Sequence, residues 1–167
     1  MGTIATFITL RKAIAQKCYC VIPACISFFI YEVFCVLRTV FIGRLGNYQN
    51  IISIAEIIVL FVFVGFVFYA STKKQLSERP LKLPMFFALG AGLCRIACMI
   101  YLRWMNHYIR QFLDNVEMFM LVSQNSMVTT HILFAIVWAM GLAAVICFLV
   151  TLFKRDIISQ IKEVIYR

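Results

Sequence analysis

Residues 130–153 read THILFAIVWAMGLAAVICFLVTLF, an apolar run without one charged side chain. A helix needs about 20 predominantly apolar residues to cross the hydrocarbon layer of a bilayer. Helix is the reading that satisfies every backbone N–H and C=O within the segment, whereas a lone strand leaves them unpaired in lipid. Three further stretches of similar length lie upstream. Pro84–Met105 is interrupted by Arg95 and Arg103, Asn50–Ser71 by Glu56 alone, and Cys18–Gly43 by Glu32 and Arg38. The chain therefore reads as a single all-α domain, a polytopic membrane helical bundle with transmembrane helices at 18–43, 50–71, 84–105 and 130–153.

Composition supports that reading independently. The 167 residues are 63% hydrophobic and 14% charged, with a mean hydropathy of +0.94. Soluble domains average ~45–50% apolar and ~25% charged residues. A globule this small has too little interior to hide such a surplus. The lipid bilayer is thus its expected surrounding, as a multi-pass protein of a cell or organelle membrane.

The formal charge of +9 would point to nucleic acid in a soluble protein, so the placement of the basic residues matters more than their number. They gather in three segments: Arg11, Lys12 and Lys17; Lys73, Lys74, Arg79 and Lys82; Lys154, Arg155, Lys162 and Arg167. Between these stand segments poor in Lys and Arg, with Arg44 in the first connection and Arg103 with Arg110 in the third. That alternation follows the positive-inside rule and places both termini on the cytoplasmic side, or in the equivalent compartment of an organelle. No interleaved aromatic stripe accompanies the charges, and no nucleic-acid partner is expected.

Amphipathic flanking helices are expected beside the spans. Ile4, Phe7, Ile8 and Ile14 share a face before the first span, and Ile157, Ile158, Ile161, Val164 and Ile165 share one after the fourth. Ile109, Phe112, Leu113, Val116, Phe119 and Met120 form a third such run, readable as a flanking helix or as a continuation of span three. Met1-Gly2 with Thr6 fits the permissive myristoylation pattern, and Ile22-Pro23-Ala24-Cys25 faintly resembles a lipoprotein cleavage site. A retained first span accounts better for both.

Few residues carry catalytic chemistry. Four-span quinone-linked disulfide oxidoreductases need reactive cysteine pairs outside the membrane. Here Cys18, Cys20, Cys25, Cys35, Cys94, Cys98 and Cys147 all fall within the expected spans, as small apolar residues do. His107 and His131, with Asp114 or Glu117, lack the close spacing of a metal site, so no metal or cofactor is expected. Phosphate-binding loops, serine-hydrolase elbows and zinc-protease motifs are missing, and no span holds an aspartate. The chain is not read as an enzyme.

The charges inside the spans are the informative ones. A charge at mid-bilayer costs at least about 2.5–3.5 kcal/mol, so such residues face the bundle interior and find partners. At the helical rise, Glu32 and Arg95 both lie within about 3 Å of the midplane. Arg38 lies ~11 Å and Glu56 ~7 Å to the external side. Two cross-helix ion pairs are therefore expected, Glu32 with Arg95 and Arg38 with Glu56. An acidic residue in span one also resembles the titrating carboxylate of small four-helix multidrug transporters. That resemblance implies proton or cation coupling at Glu32, which an ion-paired Arg95 opposes by holding the carboxylate charged.

Small residues mark helix contacts where hydrophobicity supplies no driving force. Ala135, Ala139, Ala143 and Cys147 form an i, i+4 stripe on span four, and Gly90, Cys94 and Cys98 form one on span three. The leading functional expectation is a non-enzymatic subunit that associates with itself or with other membrane proteins. The competing one is a small oligomeric transporter or channel for a cation or small solute, with Glu32 and Arg95 lining its path.

Overall fold

The computed structural model describes residues 2–40, 48–74, 76, 80–113 and 115–165. The end of the first expected span at 41–43 lies outside these, as do Arg44, Arg79, Asp114 and Arg167. The described chain is helical: α1 Gly2–Ala15, α2 Ile22–Val40, α3 Tyr48–Thr72, α4 Lys82–Ile109 and α5 Val116–Ile165. Four of the helices, all but α1, are long and apolar enough to cross a membrane.

The inward stripe of each long helix follows the helical period. On α3 it runs Glu56, Leu60, Phe63, Val67 and Ala70; on α4, Pro84, Ala88, Ala91, Arg95 and Cys98. On α5 it is Val137, Gly141, Ala144, Phe148 and Leu152. Large side chains point the other way, among them Ile54, Ile58, Phe61, Phe86, Leu93 and Ile132. In water that surface would be unfavourable; in lipid it is ordinary, because association there relies on close packing rather than on hiding apolar groups.

The helices neighbour one another in a ring: α1 with α2, α2 with α3, α3 with α4, α4 with α5, and α5 back to α1. Helix α1 closes the ring as a wedge. Its buried face is Gly2, Thr6, Thr9 and Ala13, small residues that permit close approach. The Thr6 and Thr9 hydroxyls are satisfied locally by donating to the carbonyls of Gly2 and Ala5. The larger apolar residues Ile4, Phe7, Ile8 and Ile14 face outward, Phe7 with 65% of its surface exposed. The flanking helix is thus built inside out relative to a helix that covers a water-soluble core.

The link to α2 is tight. Lys17 takes φ = 57°, Cys18 N–H donates to Ala13 C=O at 2.8 Å and Lys17 N–H to Ile14 C=O at 3.0 Å. This is the bond pattern of a left-handed helix terminus, in a position where glycine is the relaxed choice. It turns the chain back on itself, so α1 and α2 run as an antiparallel pair. The basic end of α1 is clasped to α5: Lys12 Nζ pairs with the Asp156 carboxylate and lies 3.4 Å from the Phe153 ring centroid. Gln16 donates to the Leu152 carbonyl at 2.8 Å and to Asp156, while Arg155 lies 2.8 Å from the Cys18 sulfur.

At the opposite end the run after span three is divided between two helices. Helix α4 continues to Ile109, a 3₁₀ turn covers Arg110–Phe112, and Asn115 starts α5 by accepting from Met118 N–H at 3.2 Å. Helix α5 then continues for 50 residues. At a rise of ~1.5 Å per residue it is about 75 Å long, more than twice the roughly 30 Å hydrocarbon thickness.

Phe28 fixes the centre of the packing. Its ring lies 5.1 Å from that of Phe63 and 6.1 Å from that of Tyr31, and it fills the notch left by Gly141. A Cβ on Gly141 would stand 2.5 Å from Phe28 Cε2, whereas one on Gly65 would meet nothing within 4 Å. Gly141→Ala is therefore expected to lower stability by about 1–3 kcal/mol in a detergent unfolding series. Gly65→Ala is expected to leave it unchanged or raise it by up to about 1 kcal/mol. Equal responses from the two variants would rule out this packing.

Candidate functional site: a shared carboxylate and an arginine-lined cavity

Glu56 lies on the inward stripe of α3, one helical turn before Leu60, and is fully buried. Its carboxylate receives two guanidinium groups. Arg38 Nη1 from α2 lies 3.0 Å from Oε2 and 3.5 Å from Oε1, and Arg95 Nη2 from α4 lies 3.5 Å from Oε1. The Phe134 ring of α5 completes the group, its centroid 3.4 Å from Arg38 Cζ and 4.4 Å from Arg95 Cζ. Four helices thus meet at one charge cluster. With two arginines and one glutamate, its formal charge is positive.

The two expected pairs fare differently. Arg38 and Glu56 are brought together, but Glu32 is not placed against Arg95. Glu32 faces α1 and α5: its Oε1 accepts from Trp138 Nε1 at 3.1 Å. A Cβ on Gly2 would lie 1.8 Å from the same oxygen, so the first turn of α1 rests directly on the carboxylate. The positive end of the α1 helix dipole and the indole N–H share the role expected of Arg95. Among the described residues, Glu32 Oε2 has no hydrogen-bond partner. The physical reason is azimuth. Glu32 and Arg95 match in depth, yet Glu32 lies on the face of α2 turned to α1 and α5, whereas Arg38 lies on the face turned to α3. Arg95 therefore turns towards Glu56 on its neighbour.

Arg95 is incompletely satisfied in this position. It is 2% exposed, its Nη1 contacts the Cys98 sulfur only at 3.9 Å, and its Nε has no partner among the described residues. Beside it lies a cavity of about 690 Å³ bounded by α2, α3, α4 and α5. Arg38, Arg95, Arg103, Asn106, Thr130 and His131 supply its polar wall, and Ile57, Met99, Leu102, Met127 and Phe134 much of the apolar one. Glu32 does not border it; that residue lines a shallow apolar depression with Thr3, Phe29, Val33, Val36 and Leu37.

The other residues singled out above are spread through the bundle. Gly90 and Cys94 pack on Met140 of α5, with the Cys94 and Met140 sulfurs 3.9 Å apart, and Cys98 is buried beside Arg95. On α5, Ala135 and Ala139 face outward and Ala143 and Cys147 are half-buried, so the α5 surface facing the bundle runs instead through Val137, Gly141, Ala144 and Phe148. His131 borders the cavity, its Nδ1 2.7 Å from the Met127 carbonyl oxygen, while His107 does not border it. Among the described residues, no three His, Cys, Asp or Glu side chains converge as a metal site.

Three participants, Phe134, Trp138 and Asp156, carry no mark in the sequence analysis, and Gly2 is marked there only for a myristoylation pattern. Asp156 carries a visible signal, since it stands alone as an acid between the basic residues Lys154 and Arg155 and Lys162. The other three look like ordinary membrane residues until their facing is known.

Removing a single partner from a buried ion cluster leaves uncompensated charge, at a cost of about 3–5 kcal/mol. Glu56→Gln is expected to show that loss, or failure to accumulate, because two arginines then lack an anion. Glu32→Gln keeps an oxygen for Trp138 Nε1 and is expected to cost no more than about 1 kcal/mol. Thermal unfolding of the two proteins in detergent compares them directly, and a greater loss from Glu32→Gln would contradict the assignment of Glu56 as the shared anion. Compared with protein-family models, with curated proteins and with solved structures, the chain matches none.

Proposed function

We propose that this chain is a non-enzymatic subunit of a membrane assembly, with its basic clusters and its C-terminus on the cytoplasmic side and its α4–α5 hairpin as the contact surface outside the bilayer. The observation that carries this reading is the excess length of that hairpin. Residues 116–129 of α5 precede the span expected at 130–153 and add about 21 Å at the helical rise. Along this extension Val116, Met118, Met120, Leu121, Met127 and Val128 are all exposed. Exposed apolar side chains above the lipid form the kind of surface that another protein chain covers.

The orientation rests on the basic clusters at Arg11–Lys17, Lys73–Lys82 and Lys154–Arg155, which gather at the end opposite the hairpin. The outward-facing Ala135 and Ala139 add a small-residue surface within the membrane, where a helix of another chain can approach closely. The partners are further copies of this chain or other membrane proteins.

The transport reading has weaker support. A cation path through Glu32 and Arg95 requires a common cavity, whereas these residues border different ones. The larger cavity is walled by three arginines, which oppose a cation.

Native mass spectrometry of the protein released from mild detergent is expected to give a multimer or a defined complex. Met120→Asn with Leu121→Asn is expected to shift it towards the single chain, while Phe86→Leu on the lipid-facing side of α4 leaves it intact. A single chain in the wild type, with no partner recovered by crosslinking in membranes, would refute the subunit reading.

A further inference from the structure

We propose that the arginine-lined cavity is a binding site for a phosphate-bearing amphiphile of net negative charge, with the anion held by Arg38, Arg95 and Arg103 and the apolar portion lying along Met99, Leu102 and Met127. The first argument is charge. Among the described residues Arg38 and Arg95 share Glu56 as their one carboxylate partner, and Arg103 adds a third guanidinium to the wall. Excess positive charge within a low-dielectric bundle is costly, and a bound anion offsets it.

The second argument is the state of Arg95. This guanidinium is almost wholly buried, borders the cavity, and presents an Nε without a partner among the described residues. Its contact with Glu56 is longer than that of Arg38, at 3.5 Å against 3.0 Å. Guanidinium forks match phosphate oxygens in pairs, so Arg95 retains the donors that a phosphate takes. Phe134 stacks on both Arg38 and Arg95 and restrains their planes before any ligand arrives.

The third argument is the division of the wall. Asn106, Thr130 and His131 stand with Arg103, while Ile57, Met99, Leu102, Met127 and Phe134 provide apolar surface. At about 690 Å³ the cavity falls within the usual size of small-molecule sites. A bare inorganic ion leaves the apolar part unused, and an uncharged lipid leaves the arginines uncompensated. A molecule carrying both parts suits the whole wall. It can come from the bilayer, as an anionic phospholipid, or from solution, as an organic phosphate.

The site shares Met127 with the hairpin surface, but its arginines lie apart from that surface and it does not depend on the subunit reading. The test uses the full chain in mild detergent, with short-chain phosphatidic acid, short-chain phosphatidylcholine and inorganic phosphate as probes. Native mass spectrometry counts adducts, and thermal unfolding reads stabilisation. Phosphatidic acid is expected to bind at least about tenfold more tightly than phosphatidylcholine. Arg103→Gln, at an exposed position of the wall, is expected to weaken it about tenfold, as loss of one charge-assisted contact does. Met127→Trp, which fills the apolar part, is expected to weaken it without changing the charge. Protection by phosphatidic acid but not by inorganic phosphate identifies a lipid source; protection by both identifies a phosphate site reached from solution. Equal binding of phosphatidic acid and phosphatidylcholine overturns the proposal, and so does binding that neither Arg103→Gln nor Met127→Trp reduces.

Discussion

The arrangement of the spans depends on the sharing of one carboxylate between two arginines. Glu56 is fully buried, and among the described residues neither Arg38 nor Arg95 reaches another acidic partner. Coulomb attraction inside the bundle is strong, but so is the cost of taking three charges out of water, so the cluster need not add net stability. What it does add is discrimination. A rotation of α3 by half a turn points Glu56 at lipid and leaves both guanidiniums without an anion. The hydrophobic surfaces of membrane helices penalise such rotations only weakly, since lipid and protein interior are equally apolar. Glu56 supplies the penalty that hydrophobicity does not, and it fixes α2, α3 and α4 in azimuth as well as depth.

Helix α1 depends on a different acid. Its small face inserts between α2 and α5 until Gly2 meets the Glu32 carboxylate, which Trp138 holds from the other side. Glycine is required there by contact rather than by backbone conformation, because any Cβ would collide with Oε1. The basic end of the same helix is anchored by Lys12 and Gln16 on Asp156. Two polar attachments, one deep and one at the boundary, thus define how far the wedge enters.

Depth was legible in the sequence and azimuth was not. Hydropathy places four spans because lipid demands a length of apolar residues, and 18–43, 50–71, 84–105 and 130–153 each overlap a long apolar helix. Charge depth brings Arg38 to Glu56, yet the same rule assigns Glu32 to Arg95, although Glu32 lies on the face of α2 turned to Gly2 and Trp138. The small-residue stripe at Ala135 and Ala139 likewise has the correct spacing for contact, but the neighbouring stripe through Gly141 receives the ring of Phe28. Spacing identifies a face without identifying what lies opposite. The long extension of α5 is a separate matter: apolar-run counting stops where Ser123, Gln124, Asn125 and Ser126 begin, though none of these residues terminates a helix.

The two acids bear differently on the cavity. Helix α1 has 14 residues, about 21 Å at the helical rise, so it occupies only part of the height of the bundle. On the basic side of Glu32, Phe28 of α2 meets Phe63 of α3 and fills the notch at Gly141 of α5. Beyond Gly2, the described structure contains no fifth helix, and α2, α3, α4 and α5 surround the volume bordered by Arg38, Arg95 and Phe134. Glu32 receives the first turn of α1, and Glu56 gathers Arg38 and Arg95 on the neighbouring helices. The basic wall of the cavity follows from the second of these placements, because both arginines that share Glu56 border it.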